Sequence, residues 1–214
     1  MIRLLTLVLA FSLAAAAHAA VETHTVTVAN GGLTDFYATM DIPQHNEALD
    51  GDLISVEIAI TANIDGYFYV ENLSAGSGGW RINELTWTFT GGMLGSNVLS
   101  HSSTVTAPFT ALSGYDGVQD YAGTSGAKFL YYEDNTANLA WNPGDAGIAS
   151  FGGTGTVALN VSTTVWTSHS VYGGSNVSGF STNSTWTAVV TYTYDPLSVA
   201  SEVSSWGTVK SLFR

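Results

Sequence analysis

Residues 53–64 constrain the fold of this chain more than any other stretch, because Ile54, Val56, Ile58, Ile60, Ala62 and Ile64 alternate with Ser55, Glu57, Ala59, Thr61 and Asn63. A repeat of two puts one set on each side of an extended backbone, which predicts a strand with one buried and one wet face. Beyond the N-terminus no stretch holds a helical period. Valine, threonine, tyrosine, phenylalanine and tryptophan dominate, and glycine and serine punctuate them, so strands are expected throughout.

Asp65-Gly66 has the composition of a two-residue turn, with Tyr67 to Asn72 expected to return as the second arm of a hairpin. Leu85, Trp87 and Phe89 form the next alternation, closed by Gly91-Gly92, and Val105, Ala107 and Phe109 follow. Thr23 to Ala29 and Phe36 to Ile42 are expected as an opening pair joined across Asn30-Gly31-Gly32. Gly155 to Val165 and Thr185 to Tyr194 read as long strands, with Trp166 to Tyr172 as a continuation or partner, and 74–79 and 173–179 as surface loops. About eight to ten short strands at this spacing predict an all-β fold, a single antiparallel β-sandwich of jelly-roll-like form, with a closed barrel as the competing architecture.

The N-terminus has a different character. Arg3 precedes an apolar run from Leu4 to Ala17 and the triplet Ala17-His18-Ala19, the layout of a secretory signal peptide with cleavage expected after Ala19. The apolar run is shorter than the ~20 residues of a spanning helix, and no second run of that length follows, so no transmembrane segment is expected in the exported product. The expected organisation is therefore a signal helix at 1–19, a β-sandwich domain at 20–196 and a C-terminal tail at 197–214. Export through signal peptidase to the cell surface, extracellular space or periplasm follows from the same layout.

The chain has no cysteine, which excludes thiolate catalysis and thiolate metal sites. Residues 21–195 hold sixteen acidic residues and two basic ones, Arg81 and Lys128. Nucleic acid is not an expected partner, because phosphate binding draws on lysine and arginine.

Three segments carry a resemblance. Ile54 to Ala75 runs from the alternating strand into Val-Glu-Asn-Leu-Ser-Ala; Ser113 to Gly126 reads Ser-Gly-Tyr-Asp-Gly-Val-Gln-Asp-Tyr-Ala-Gly-Thr-Ser-Gly; Phe151 to Tyr194 passes through Gly153-Thr154-Gly155-Thr156-Val157 to Val189-Val190-Thr191-Tyr192-Thr193-Tyr194. In this order and spacing they resemble the choice-of-anchor E domain proteins, exported bacterial proteins with variable C-terminal sorting tails. The resemblance implies export and sorting, and it brings no catalytic residues with it. The chain departs from the commonest arrangement of that family, since a Pro-Glu-Pro motif followed by an apolar helix is missing. Its ending is instead similar to short tails of exported bacterial proteins, with Trp206, Gly207, Val209, Lys210, Leu212, Phe213 and Arg214 as the expected sorting residues. A helix formed on docking would put Trp206, Val209 and Phe213 on one side.

Candidate chemistry is sparse. Asp116 and Asp120 offer two carboxylates to calcium, the one cofactor considered, but lack the regular acidic spacing of a dedicated calcium loop and are assigned to turn shaping. Asp50 and Asp52, and Glu133 and Asp134, read as solvated loop ends. His24, His45, His101 and His169 show no metal-site spacing. Trp80, Tyr115, Tyr121 and Tyr172 lie at or near expected loops and are the candidate ligand-stacking residues. No active site is assigned. The expected role is a non-enzymatic envelope or extracellular protein attached or assembled through its tail, with a carbohydrate-binding module as the alternative. Partners would be a sorting machinery, an envelope component or further copies joined through an open sheet edge.

Overall fold

In the computed structural model, residues 19–31 and 35–197 are described; residues 1–18 of the expected signal segment 1–19 and the tail residues 198–214, Trp206 to Arg214 among them, lie outside that range. Eight strands make up the body: β1 (Ala20–Gly31), β2 (Phe36–Pro43), β3 (Gly51–Asn72), β4 (Gly78–Met93), β5 (Ser96–Leu112), β6 (Gly126–Trp141), β7 (Thr156–Tyr172) and β8 (Asn176–Pro196). A four-residue helix α1 (Glu47–Asp50) and a single 3₁₀ turn at Ile148–Phe151 complete it.

The strands form two four-stranded sheets of order β1-β8-β3-β6 and β2-β7-β4-β5, antiparallel throughout. First pairs with last, second with seventh, third with sixth and fourth with fifth. That is one long hairpin rolled on itself, and the rolling adds the β3–β8 and β4–β7 pairings. The result is a jelly-roll sandwich. Each sheet turns one face inward, and the alternating isoleucines of β3 meet Leu85, Trp87 and Phe89 of β4, Leu159 and Val161 of β7, and Trp186, Ala188 and Val190 of β8 in one core.

Several local expectations are corrected. Thr23–Ala29 and Phe36–Ile42 do not pair with each other: β1 joins β8 and β2 joins β7, on opposite layers. Asp65-Gly66 makes no turn, because β3 runs unbroken for 22 residues. Of the two readings of Trp166 to Tyr172, continuation is the one that holds, since they extend β7. Residues 126–141, whose apolar alternation is interrupted at Glu133 and Asn135, are strand β6.

Gly91-Gly92 does not end β4 either; the reversal into β5 falls on Leu94 and Gly95, both with positive φ (51° and 78°). Two consecutive left-handed residues match the twist of a hairpin, but leucine meets a steric cost there that asparagine largely escapes. Leu94→Asn is expected to raise stability by about 0.5–1 kcal/mol. A shift in the urea midpoint with an unchanged slope checks this.

Candidate functional site

The three resembling segments meet at one end of the sandwich. Glu71 and Asn72 close β3. Asn72 uses every hydrogen-bonding position of its amide: Nδ2 donates to Gly76 O (2.8 Å) and Ser113 O (2.7 Å), while Oδ1 accepts from Ser74 N (3.1 Å) and Ser74 Oγ (2.5 Å). Its backbone N–H donates to Ser125 O, and Leu73 N–H donates to Ser175 O. One side chain thus ties the end of β3 to the start of the 113–125 loop, and the surrounding backbone ties it to the turn before β8.

Glu71 points to the outer face of the first sheet, yet it is wholly buried. The 113–125 loop folds over it. Oε2 accepts the Tyr121 N–H at 2.7 Å, and Oε1 has no partner. Tyr121 is held there at φ 57°, and a Cβ on Gly126 would fall 2.4 Å from both Glu71 Oε2 and Ala122 N, so the close approach needs glycine. Glu71→Ala is expected to cost about 1–2 kcal/mol by orphaning the Tyr121 N–H and freeing the loop. Glu71→Gln keeps an acceptor without a buried charge and should leave stability equal or higher. Urea unfolding with limited proteolysis of the loop separates the two.

Asp116 and Asp120 behave as turn residues. Asp116 Oδ1 accepts the Val118 N–H at 3.0 Å and Asp120 Oδ1 accepts the Ala122 N–H at 2.9 Å, each two residues on in its own turn.

The four aromatic candidates do not converge. Trp80 is a correction: it is 4% exposed in β4, packed on Phe68 and Phe129, because Gly78 and Gly79 begin a strand there and do not form a loop. Tyr115 is partly exposed on the covering loop, with its N–H donating to Ser74 O. Tyr172 lies on the outer face of the second sheet, edge-on to Phe109 (5.5 Å) and under Arg81. Tyr121 joins the outer face of the first sheet, 4.5 Å from Tyr69 between ring centroids.

That outer face holds aromatics the sequence reading did not single out. Register places Tyr67 beside Leu130, Tyr69 beside Lys128 and Asp65 beside Tyr132. Leu130 is 73% and Tyr132 65% exposed. A Cβ at Gly179 would sit 2.4 Å from the Tyr69 hydroxyl, so the missing side chain lets that ring lie flat on β8. Polar groups flank the rings: Asn183 Nδ2 donates to Asp65 Oδ2 at 2.9 Å, and Asp134 accepts from Asn63 and from the Tyr132 hydroxyl. The hydrogen bond to Asp134 raises the Tyr132 pKa.

Glu133 is not a solvated loop end. It faces inward from β6, accepting from Trp87 Nε1 (2.5 Å) and lying 2.7 Å from His101 Nε2 on β5. His169 sits half-buried beside Phe68 and Phe180, and burial lowers its pKa.

The far end of the sandwich holds a second cluster. Glu22 and His24, two apart on β1, share its inner face, and the segment between β2 and β3 brings His45 and Asp50 to them. His45 is fully buried, with Nδ1 3.3 Å from Glu22 Oε2 and Nε2 2.8 Å from Gly51 O. Its ring packs on Tyr194 (4.6 Å) and Tyr192 (5.8 Å). The Tyr192 hydroxyl donates to Pro43 O, and burial, with the Glu22 charge, pushes its pKa up to about 12. The histidines show no metal-site spacing along the chain, and it is the fold that brings His45 to two carboxylates. The i, i+2 spacing of Glu22 and His24 on a strand was the available signal; nothing in the sequence ties them to His45.

Fold and site together define an all-β jelly-roll sandwich with a loop-covered end and a histidine–carboxylate end. No protein-family profile matches the chain, and no curated protein does. Among solved structures it is similar to that of the infectious bursal disease virus Gx strain, with 10% identity, a TM-score of 0.25 and coverage of 82% of this chain and 38% of that one. The Gt strain of the same virus gives 9% identity, a TM-score of 0.20 and coverage of 83% and 37%. The chain thus spans little more than a third of those proteins, and likeness at this level carries no argument. Among the described residues, no helix is long and apolar enough to cross a membrane.

Proposed function

We propose that this chain is an exported, non-enzymatic protein of the cell envelope or extracellular space, delivered by the 1–19 leader and sorted, attached or assembled through residues 197–214. The observation that carries this reading is the meeting of the three resembling segments in one built unit. Asn72 bonds Ser113 and Ser74, Glu71 bonds Tyr121, and Leu73 and Ser74 bond the turn at Gly174 and Ser175. Residues scattered over a hundred positions thus form one loop-presenting end, which favours a shared architecture over a chance run of threonine-rich strands. Signal peptidase acts on the leader, and a sorting machinery or envelope component takes the tail. Mass spectrometry of the secreted protein should find Ala20 as the first residue. Residues 197–214 grafted onto an exported reporter should redirect it, and an unchanged reporter location would defeat the sorting role.

The outer face of the first sheet favours a second reading, carbohydrate binding. Flat rings with polar tips suit sugar faces, and here Tyr67, Tyr69, Tyr121 and Tyr132 lie with amide and carboxylate groups among them. On a glycan array, Tyr132→Ala should abolish any signal the protein gives. A flat array with the unaltered protein removes this reading.

A further inference from the structure

We propose that Glu22, His45 and Asp50 form a binding site for a divalent transition-metal ion of the zinc type. One ligand atom from each residue lies within 4.8 Å of the other two. The case rests on the geometry around the fully buried His45 ring. Nε2 stands 2.8 Å from the Gly51 carbonyl, which only accepts, so Nε2 carries the ring proton. The ring's other nitrogen, Nδ1, faces Glu22 Oε2 at 3.3 Å. A ring nitrogen and a carboxylate oxygen that face each other hold a proton or a cation between them, and the Glu22 side chain, 35% exposed, leaves an ion a way in. The 3.3 Å spacing fits a shared cation, since ligands at about 2.0–2.2 Å on a tetrahedral ion sit about 3.3–3.5 Å apart.

The surroundings are those of a prearranged ligand. The His45 N–H donates to Phe151 O (2.8 Å) and its carbonyl accepts from Gly153 N–H (2.9 Å), so the backbone cannot turn the ring away. An imidazole that donates one N–H to a backbone carbonyl while its other nitrogen faces carboxylates has the usual outer-shell support of a metal-bound histidine. His24 Nε2 lies 2.8 Å from the second Glu22 oxygen without a hydrogen bond to it. Charge points the same way. Two carboxylates converge here, while Arg81 and Lys128, the two lysine or arginine residues among the described ones, sit over Tyr172 and Tyr67 at the other end of the sandwich. One nitrogen with two carboxylate oxygens suits zinc better than calcium, which prefers an all-oxygen shell.

The test is calorimetric titration of the full chain, stripped of metal, with Zn²⁺ and separately with Ca²⁺. One Zn²⁺ per chain is expected, bound at least tenfold more tightly than Ca²⁺. Glu22→Gln and Asp50→Asn should each weaken Zn²⁺ at least tenfold, while Glu57→Gln on the outer face of β3 should leave it unchanged. Absence of Zn²⁺ binding, or the same affinity in all three variants, would overturn the site. The nitrogen resonances of His45 in the unaltered protein give a reading that does not depend on how the variants fold. Zn²⁺ should shift Nδ1 and leave Nε2 protonated. An Nδ1 that carries a proton with Zn²⁺ present would show that the proton, and not a metal, joins His45 to Glu22.

Discussion

Trp186→Ala is expected to cost about 3–5 kcal/mol, the range for deleting a large buried aromatic. The ring is fully buried at the centre of β8 and meets Phe89 of the opposite sheet edge-on, with centroids 5.8 Å apart. It therefore joins the two layers and does not merely fill one. Its Nε1–H donates to Thr163 Oγ1 at 3.0 Å; Thr163 and Ser184 share a 2.6 Å hydrogen bond, and Ser184 Oγ reaches Asn63 O. That chain of hydroxyls inside an apolar layer loses its one aromatic donor when the indole goes. Trp186→Phe divides the two contributions: it keeps most of the volume and should cost about 1–2 kcal/mol, chiefly the hydrogen bond. Urea unfolding at pH 7 measures both. A loss below about 1 kcal/mol for the alanine variant would mean that the sheets close over the gap, and that Trp186 is not the bolt between them.

How much of this was legible in the sequence depended on whether a residue's partners lie along the chain or across it. The isoleucines of β3 announced the core because alternation is local, and each inward position from Val56 to Ile64 is buried. Strand β6 was faint. It is an edge strand whose inward Phe129, Tyr131, Ala137 and Leu139 are apolar, but Glu133 and Asn135 interrupt that set and Leu130 and Tyr132 stand on the outer face, which blurs the period. Its membership of the sheet comes from β3, which offers it sixteen registered partners. Trp80 misled because two glycines precede it; those glycines serve close packing, since a Cβ on Gly78 would fall 2.5 Å from Tyr172 O. The clasp of Asn72 and the meeting of Glu22 with His45 join separate elements, and local pattern does not encode such contacts. The motif from Ser113 to Gly126 did mark a built loop, but what it is built on, the buried Glu71, is decided by the fold.

Asp65-Gly66 joins both lessons, and Gly66→Ala is expected to cost about 3 kcal/mol, at the upper end for overpacking a well-filled site. Aspartate followed by glycine reads as a turn because glycine accepts φ values that other residues avoid. Gly66 uses none of that freedom. It lies mid-strand and inward, paired with Tyr131 on β6 and Thr182 on β8. What it supplies is absence of bulk: a Cβ there would fall 2.3 Å from Ser181 O and 2.5 Å from the Tyr131 hydroxyl. The Tyr131 ring lies over the glycine, stacks on Trp87 at 5.6 Å and bonds Thr182 through its hydroxyl, an aromatic on one strand covering the gap left by a glycine on its neighbour. A methyl group would push against backbone on one side and the ring on the other, and neither is the free end of a flexible chain. The loss should appear in urea unfolding together with a changed near-ultraviolet circular dichroism from Trp87 and Tyr131. Asp65→Asn, one residue earlier on the wet face, should change stability by less than about 0.5 kcal/mol. Were Gly66→Ala tolerated and Asp65→Asn not, the dipeptide would be acting as the turn it resembles, and the unbroken strand would be wrong at its centre.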